Sequence, residues 1–286
     1  MITRPIVIID GVVQDSADAR VSIADAAFSI GEGILETMLA VDGQIVREAR
    51  HRARAQRGLQ LLGIDGFDWG AATRKIADVT SEAQIGRARV RLIISRGELS
   101  GGFGGPAIDG PKTVVTLHQA APLPDRMIAT VIDWPRRSGG GLNVEFKSLG
   151  YANERYARKR AEAAGCDIAI MLSEQSLVAC ADTANIFIKR GDMLVTPPTR
   201  DGALRGTVRE QILEIGPSVG FEVREDSFTV DELRSADAVL VSNSGLGLFP
   251  LTEIKWIWRT SDNPDVKAQI DRLRNVVDTT SVGASG

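Results

Sequence analysis

The sequence predicts a two-domain α+β protein, and three observations carry that reading. Short apolar runs in the first half pair around Asp-Gly turns. A proline-containing, apolar-poor stretch follows, and beyond it strands and helices intermix without strict alternation. The expected boundaries are residues 1–119 for a small N-terminal domain on an antiparallel sheet, 120–126 for a linker, and 127–286 for a larger mixed α/β domain.

The elements follow in order. PIVIIDGVV turns at Asp10-Gly11 and ETMLAVDGQIV at Asp42-Gly43, and Asp-Gly readily adopts the two positive φ angles of a tight hairpin. From Arg47 to Leu62, Ala53, Leu59 and Leu62 lie among arginines and the run stops at Gly63, as an amphipathic helix does. RARVRLIISRG and KTVVTLHQA read as strands on either side of a glycine-rich stretch. In the second half the expected order is strand MIATVID, a glycine loop at 138–141, strand LNVEFKS, a helix over 153–164, and strands DIAIML, TANIFIK and DMLVTPP. A helix over 207–215, strand GFEVRED, a helix opened at Val230 by the capping box Thr229–Glu232, and strand AVLVSNS complete it. The tail from Asn275 is small and polar and is expected to fray.

Composition narrows the function. With 34 basic and 37 acidic residues in 286, net charge −3, nothing favours a nucleic-acid partner. No apolar run approaches the ~20 residues that cross a bilayer, so no membrane partner is expected and the protein is expected in the cytoplasm. Two cysteines, Cys166 and Cys180, cannot build a disulfide framework. Two histidines, His51 and His118, lack metal-ligand spacing, so no metal is expected.

Among the seven lysines, Lys147 stands apart, because LNVEFKSLGY places it on a strand that leaves a glycine loop and enters a helix. A partly desolvated lysine there can act as a Schiff-base amine; the same pattern also fits a solvated lysine at a strand end. In GALRGTVREQIL a glycine leads directly into a helix, so the amides of Thr207 and Val208 could hold a phosphate. SNSGLGLF ends a strand in small residues that let backbone approach a ligand closely, a pattern that also marks a simple turn. FSIGEGILETM sets Glu32 between two glycines and Glu36 at a strand start.

In order and spacing these segments resemble the fold-type IV, or class IV, pyridoxal-phosphate enzymes, the branched-chain and D-amino-acid aminotransferases and aminodeoxychorismate lyase. Asp25, Gly31, Glu32, Gly33, Glu36 and Thr37 echo the first motif, His51 to Arg54 its H-x-x-R helix, and Ser95-Arg96-Gly97 its T-R-G strand end. Lys147 to Tyr151 echoes K-T-L-N-Y, Ala184 to Phe187 the S-N-x-F strand, and Leu194 to Pro197 the L-x-T-P strand. Gly206 to Arg209 echoes G-I-T-R, and Ser242 to Leu251 the late T-N-S segment, so the resemblance runs from about residue 8 to residue 254.

The resemblance implies pyridoxal 5′-phosphate as cofactor, an amino acid or amine with a 2-oxo acid as substrates, and a homodimer. It implies that Lys147 carries the Schiff base and moves the proton. Arg54, the Thr207 and Val208 amides and the Ser244 hydroxyl would hold the phosphate, with Tyr151 beside the ring. Ile30 and Leu35 stand where the family often has aromatics and would line the substrate pocket. One departure matters most: the family's glutamate, five residues before the strand asparagine and bonded to the pyridine nitrogen, is here Cys180. A charge-assisted bond of ~1.5–3 kcal/mol is then missing. Asp182, two residues on, is the nearest candidate to replace it. Two alternatives to amino-group transfer follow: pyruvate elimination of the aminodeoxychorismate lyase type, and a catalytically degenerate cofactor-binding paralogue.

Overall fold

The computed structural model describes residues 4–101 and 103–279. Two compact units make up the chain: one up to Pro122 together with Glu145–Gly150, the other Leu123–Val144 together with the chain from Tyr151 onward.

The first unit contains β1 (Ile6–Ile9), β2 (Val12–Gln14), α1 (Ala26–Ser29), β3 (Gly33–Val41) and β4 (Gln44–Ile45), then α2 (Glu48–Leu62), α3 (Trp69–Glu82), β5 (Arg87–Ser95) and β6 (Lys112–Gln119). Its strands form one antiparallel sheet in the order β2-β1-β6-β5-β3-β4. Both Asp-Gly pairs turn hairpins: Asp10 and Gly11 have φ of 48° and 79°, and Asp42 and Gly43 have 47° and 81°. Strict alternation along β5 buries Ala88, Val90, Leu92 and Ile94 on one face, where they share a core with Ala55 and Leu59 of α2 and Ile76 and Val79 of α3. Helix α2 ends at Gly63 in the left-handed conformation. Helix α3 has no counterpart among the expected elements; Asp68 caps it, accepting the Ala71 N–H at 2.9 Å.

The second unit contains β7 (Ile128–Arg137), α4 (Ala152–Ala163), β8 (Ile168–Ser173), β9 (Val178–Ala181), β10 (Asn185–Arg190), β11 (Met193–Thr196), α5 (Thr207–Ile215), β12 (Glu222–Glu225) and α6 (Val230–Arg234). It closes with β13 (Ala238–Asn243), β14 (Gly247–Pro250), β15 (Glu253–Ile254), β16 (Trp258–Arg259) and α7 (Pro264–Thr279). Two mixed five-stranded sheets run β12-β11-β10-β13-β14 and β16-β15-β7-β8-β9. Ile168 and Ile170 of one sheet meet Ile186, Ile188, Val239 and Val241 of the other in a shared core. Helices cover the outer faces: α5 and α7 pack on Phe187 and Leu240, and α4 packs through Ala157 and Ala161 on Ala169, Met171 and Cys180. With both faces covered, every residue of β8 is buried. The capping box at Thr229 and Glu232 closes as expected. Among the described residues no helix is long and apolar enough to cross a membrane.

Two expectations are corrected. The segment LNVEFKS is not a strand: Leu142–Val144 is a single 3-10 turn, and the next residues lie along β3 through one bridge, Ile34 to Ser148. Val144 and Phe146 alternate because both are buried, which imitates a strand without ladder bonds. Residues 275–279 do not fray, because α7 continues through them, anchored by Ile270, Leu273 and Val277; the rest of that tail lies outside the described residues.

Candidate active site

In the first unit, Lys147 sits half-buried on the segment beside β3, and its carbonyl accepts the Leu35 N–H at 2.8 Å. Two glycines let that segment come close. A Cβ on Gly33 would stand 2.6 Å from the Ile94 carbonyl and 3.0 Å from Leu149, and one on Gly58 of α2 would meet Phe146 at 2.8 Å. Leu35 is therefore tied to Lys147 through backbone, while Ile30 caps α1 and is exposed.

Arg54 is held by a neighbour on β3. Residues His51 and Arg54, three apart on α2, reach the same carboxylate: Arg54 Nε donates to Glu36 Oε1 at 2.8 Å and its Nη2 to Oε2 at 2.6 Å, while His51 Nδ1 lies 2.6 Å from Oε2. All three are buried. Burial alone would raise the Glu36 carboxyl, but the Arg54 charge and the Arg54 and His51 hydrogen bonds outweigh it and hold it at about 2. His51 is shifted the other way from its partner's pull: burial, with help from the Arg54 and Arg47 charges, lowers it despite the Glu36 contact.

In the second unit, Thr207 and Val208 open α5, and Gly206 precedes them with no side-chain cap. The first amides of a helix have no partner within it. Gly206 admits no side chain: a Cβ there would stand 1.9 Å from Asn185 Oδ1, whose own amide donates to the Leu204 carbonyl at 2.8 Å. The Thr207 and Ser244 hydroxyls meet at 3.1 Å. Ser244 is fixed by a turn in which Asn243 Oδ1 accepts the Gly245 and Leu246 N–H groups at 2.9 and 2.8 Å. Ser242, on β13 opposite Asn185, has a buried hydroxyl without a hydrogen-bond partner. The result is a set of amides and hydroxyls at the positive end of a helix dipole, suited to an anion.

Tyr151 is the residue before α4, and Cys180 is buried on β9. Burial pushes the Cys180 thiol up to about 11, with Glu154 and Asp182 adding to the rise and Arg137 opposing it. Asp182 is committed elsewhere. Its Oδ1 accepts from Arg158 Nη2 at 2.6 Å and Thr183 Oγ1 at 3.0 Å, and its Oδ2 from Arg158 Nε at 2.8 Å and the Ala169 N–H at 2.9 Å. With four donors on two oxygens, it has no capacity to stand in for a glutamate at Cys180.

Two residues missed at the sequence level complete this region. Arg137, at the end of β7, donates through Nε to the Gly202 carbonyl at 3.1 Å and through Nη1 to Glu154 Oε1. Glu154 lies on α4, one turn after Tyr151 and one turn before Ala157. Its other oxygen, Oε2, is buried without a hydrogen-bond partner. A glutamate spaced three residues from both Tyr151 and a buried alanine was the available signal, and charge on a helix usually means a solvated face.

Comparison with known proteins places these features in a family context. A family model described as amino-transferase class IV matches residues 33–254. The chain is 29% identical over 255 residues to a putative branched-chain-amino-acid aminotransferase of Methanocaldococcus jannaschii, covering 86% of each chain. It is 28% identical over 273 residues to the aminodeoxychorismate lyase of Bacillus subtilis, covering 93% of this chain and 92% of that one. Its fold is similar to that of a hypothetical aminotransferase from Mycobacterium tuberculosis in its PLP-bound form, with TM-score 0.81, 22% identity, and 96% and 99% of the two chains covered.

Proposed function

The chain belongs to the amino-transferase class IV family, and from that membership we propose that it binds pyridoxal 5′-phosphate and exchanges an amino group between an amino acid or amine and a 2-oxo acid. The observation that carries the cofactor assignment is the start of α5, where Gly206 leaves the helix uncapped and the Thr207 and Ser244 hydroxyls converge. The residues present fit the group: a helix N-terminus for a phosphate dianion, a buried Ser242 hydroxyl still lacking a partner, and a buried carboxylate oxygen of Glu154 equally unpartnered.

When bound, the cofactor supplies an aldehyde that condenses with amines and a pyridine ring that accepts an electron pair released at the substrate Cα. The chain supplies the rest. Lys147 Nζ would be the amine that holds the cofactor and that, once released by a substrate amine, moves the proton between the substrate Cα and the cofactor carbon C4′. The amides of Thr207 and Val208 and the Ser244 hydroxyl would hold the phosphate; the resemblance to the family gives Arg54, two of whose nitrogens are fixed by Glu36, the same role. Tyr151 would lie beside the ring, and Ile30 and Leu35 would contribute apolar surface for the substrate.

Borohydride treatment of protein incubated with pyridoxal phosphate should fix a pyridoxyl group on Lys147, and Lys147→Ala should abolish it. Mapping of the adduct to another lysine by mass spectrometry would refute the assignment. The 28% identity to an aminodeoxychorismate lyase over nearly the whole chain favours a second reading, pyruvate elimination from aminodeoxychorismate. It is separated from the first by assaying pyruvate release with no 2-oxo acid added.

The same reading includes a homodimer in the cytosol. Ile23 and Phe28 are 81% and 68% exposed within one short segment, an apolar surface that a second copy would cover. The two cysteines are buried and unpaired, which suits a reducing compartment.

A further inference from the structure

We propose that Glu154 supplies the carboxylate that accepts the pyridine N–H of the cofactor, in place of the missing glutamate at Cys180. The inference rests on the proposed cofactor and goes beyond it, because it reassigns the group that controls protonation of the ring.

Three observations converge on Glu154. First, a pyridinium nitrogen in this chemistry needs a charged partner, and Cys180 cannot be one: its thiol is buried and neutral, so it offers only a weak donor. Second, Asp182 has both oxygens filled by Arg158, Thr183 and the Ala169 amide. Third, Glu154 has one oxygen on Arg137 and the other buried without a donor. A buried carboxylate oxygen left without a donor is costly, and the cost is removed when a ligand brings an N–H to it.

Placement agrees with chemistry. Tyr151 and Glu154 are three residues apart at the start of α4, hence on one face. One turn further along that face, Ala157 packs in the same cluster as Cys180. The carboxylate therefore stands on the element that packs against β7 and β8, in a buried cluster shared with Cys180, and its charge is felt by the Cys180 thiol. Arg137 is not the partner itself, since a guanidinium has no acceptor, and its Nε and Nη1 are engaged by Gly202 and Glu154. Its role is to hold Glu154 in one orientation. Among the described residues, Asp201 is the other buried carboxylate with an unpartnered oxygen, and it serves as the control.

The test compares binding of pyridoxal phosphate with that of its 1-deaza analogue, in which C–H replaces the ring nitrogen, each measured as uptake into the borohydride-reducible adduct. Wild type should prefer the nitrogen-bearing ligand by about ten- to a hundredfold. Glu154→Gln should reduce that preference to within a few-fold, whereas Asp201→Asn should leave it unchanged. In parallel, ¹⁵N-labelled pyridoxal phosphate should report a protonated ring nitrogen in wild type and an unprotonated one in E154Q. Adding Cys180→Glu to E154Q should restore both readouts. If E154Q does not fold, the double variant R137Q/E154Q, which removes the whole pair, replaces it. Uptake with an unchanged preference in E154Q overturns this proposal alone. A chain that takes up neither ligand overturns the cofactor assignment together with it.

Discussion

Glu36 and Glu154 are both buried glutamates facing an arginine, and they are finished differently. At Glu36 each oxygen receives donors, from Arg54 on one side and from Arg54 and His51 on the other. At Glu154 one oxygen is held by Arg137 and the other by nothing. A closed carboxylate fixes the side chains around it and has no capacity left for a ligand. An open one keeps a buried acceptor oxygen that a ligand N–H can match. The same residue type thus does positioning work in the first unit and recognition work in the second.

The sharpest way to break this comparison is to make the same substitution at both sites. Glutamine keeps the shape but turns one acceptor oxygen into a donor. At Glu36 that amide nitrogen must face Arg54 or His51, so Glu36→Gln should cost about 3–5 kcal/mol, as when one member of a buried ion pair is lost. At Glu154 the carbonyl can keep Arg137 and the amide displaces no second donor, so Glu154→Gln should cost less than the Glu36 change, about 2–3 kcal/mol. Urea unfolding of the two variants beside wild type measures both. Equal losses would show that the two carboxylates are not finished differently in solution.

Acid sharpens the first half of the comparison. The Glu36 carboxyl stands at about 2 in the folded chain against an ordinary 4.5. A depressed carboxylate contributes stability above its unfolded value and loses it as pH falls. About 3 kcal/mol should therefore disappear between pH 4.5 and about 2. Thermal melts across that window should show the loss in wild type and a shallower decline in Glu36→Gln.

How far this could be read from the sequence follows the same division between local and tertiary signals. The Asp-Gly turns, Gly63, the Thr229 capping box and the start of α5 at Thr207 each carry their instruction in a few adjacent residues, and each was legible. Helix α3 was not. Its first turn is weak, with Gly70, Ala71 and Ala72 following Trp69, although the Asp68 cap and the buried Trp69, Ile76 and Val79 at helical spacing do mark it. Val144 and Phe146 misled for the opposite reason: their alternation is real, but it records burial and not a ladder. Lys147 and Thr207 stand out from their local context alone, whereas Ser244 is singled out only through the resemblance to the family. That Asp182 is saturated by Arg158, and that Glu154 holds an unsatisfied oxygen, depends on partners 24 and 17 positions distant in the chain, a fact no local pattern encodes.

The smallest expected effect tests how tightly the closed site is closed. His51 is lowered from its ordinary 6.5, chiefly by burial, so the folded chain keeps it neutral where the unfolded chain begins to take a proton. The unfolded state then binds more protons as pH falls through 6.5, and stability declines with it until the folded imidazole also titrates. A neutral His51 at 2.6 Å from Glu36 Oε2 must donate through Nδ1, because the carboxylate oxygen only accepts. His51→Gln preserves a donor to Glu36 and removes the titration. It should cost about 1 kcal/mol at neutral pH and flatten the stability profile between pH 6.5 and 4.5, leaving the steeper Glu36 loss below it intact. Melting curves at half-unit pH intervals would resolve the two slopes. A variant whose profile still bends at 6.5 would place the titrating group elsewhere, and the network around Glu36 would then be looser than its three short contacts describe.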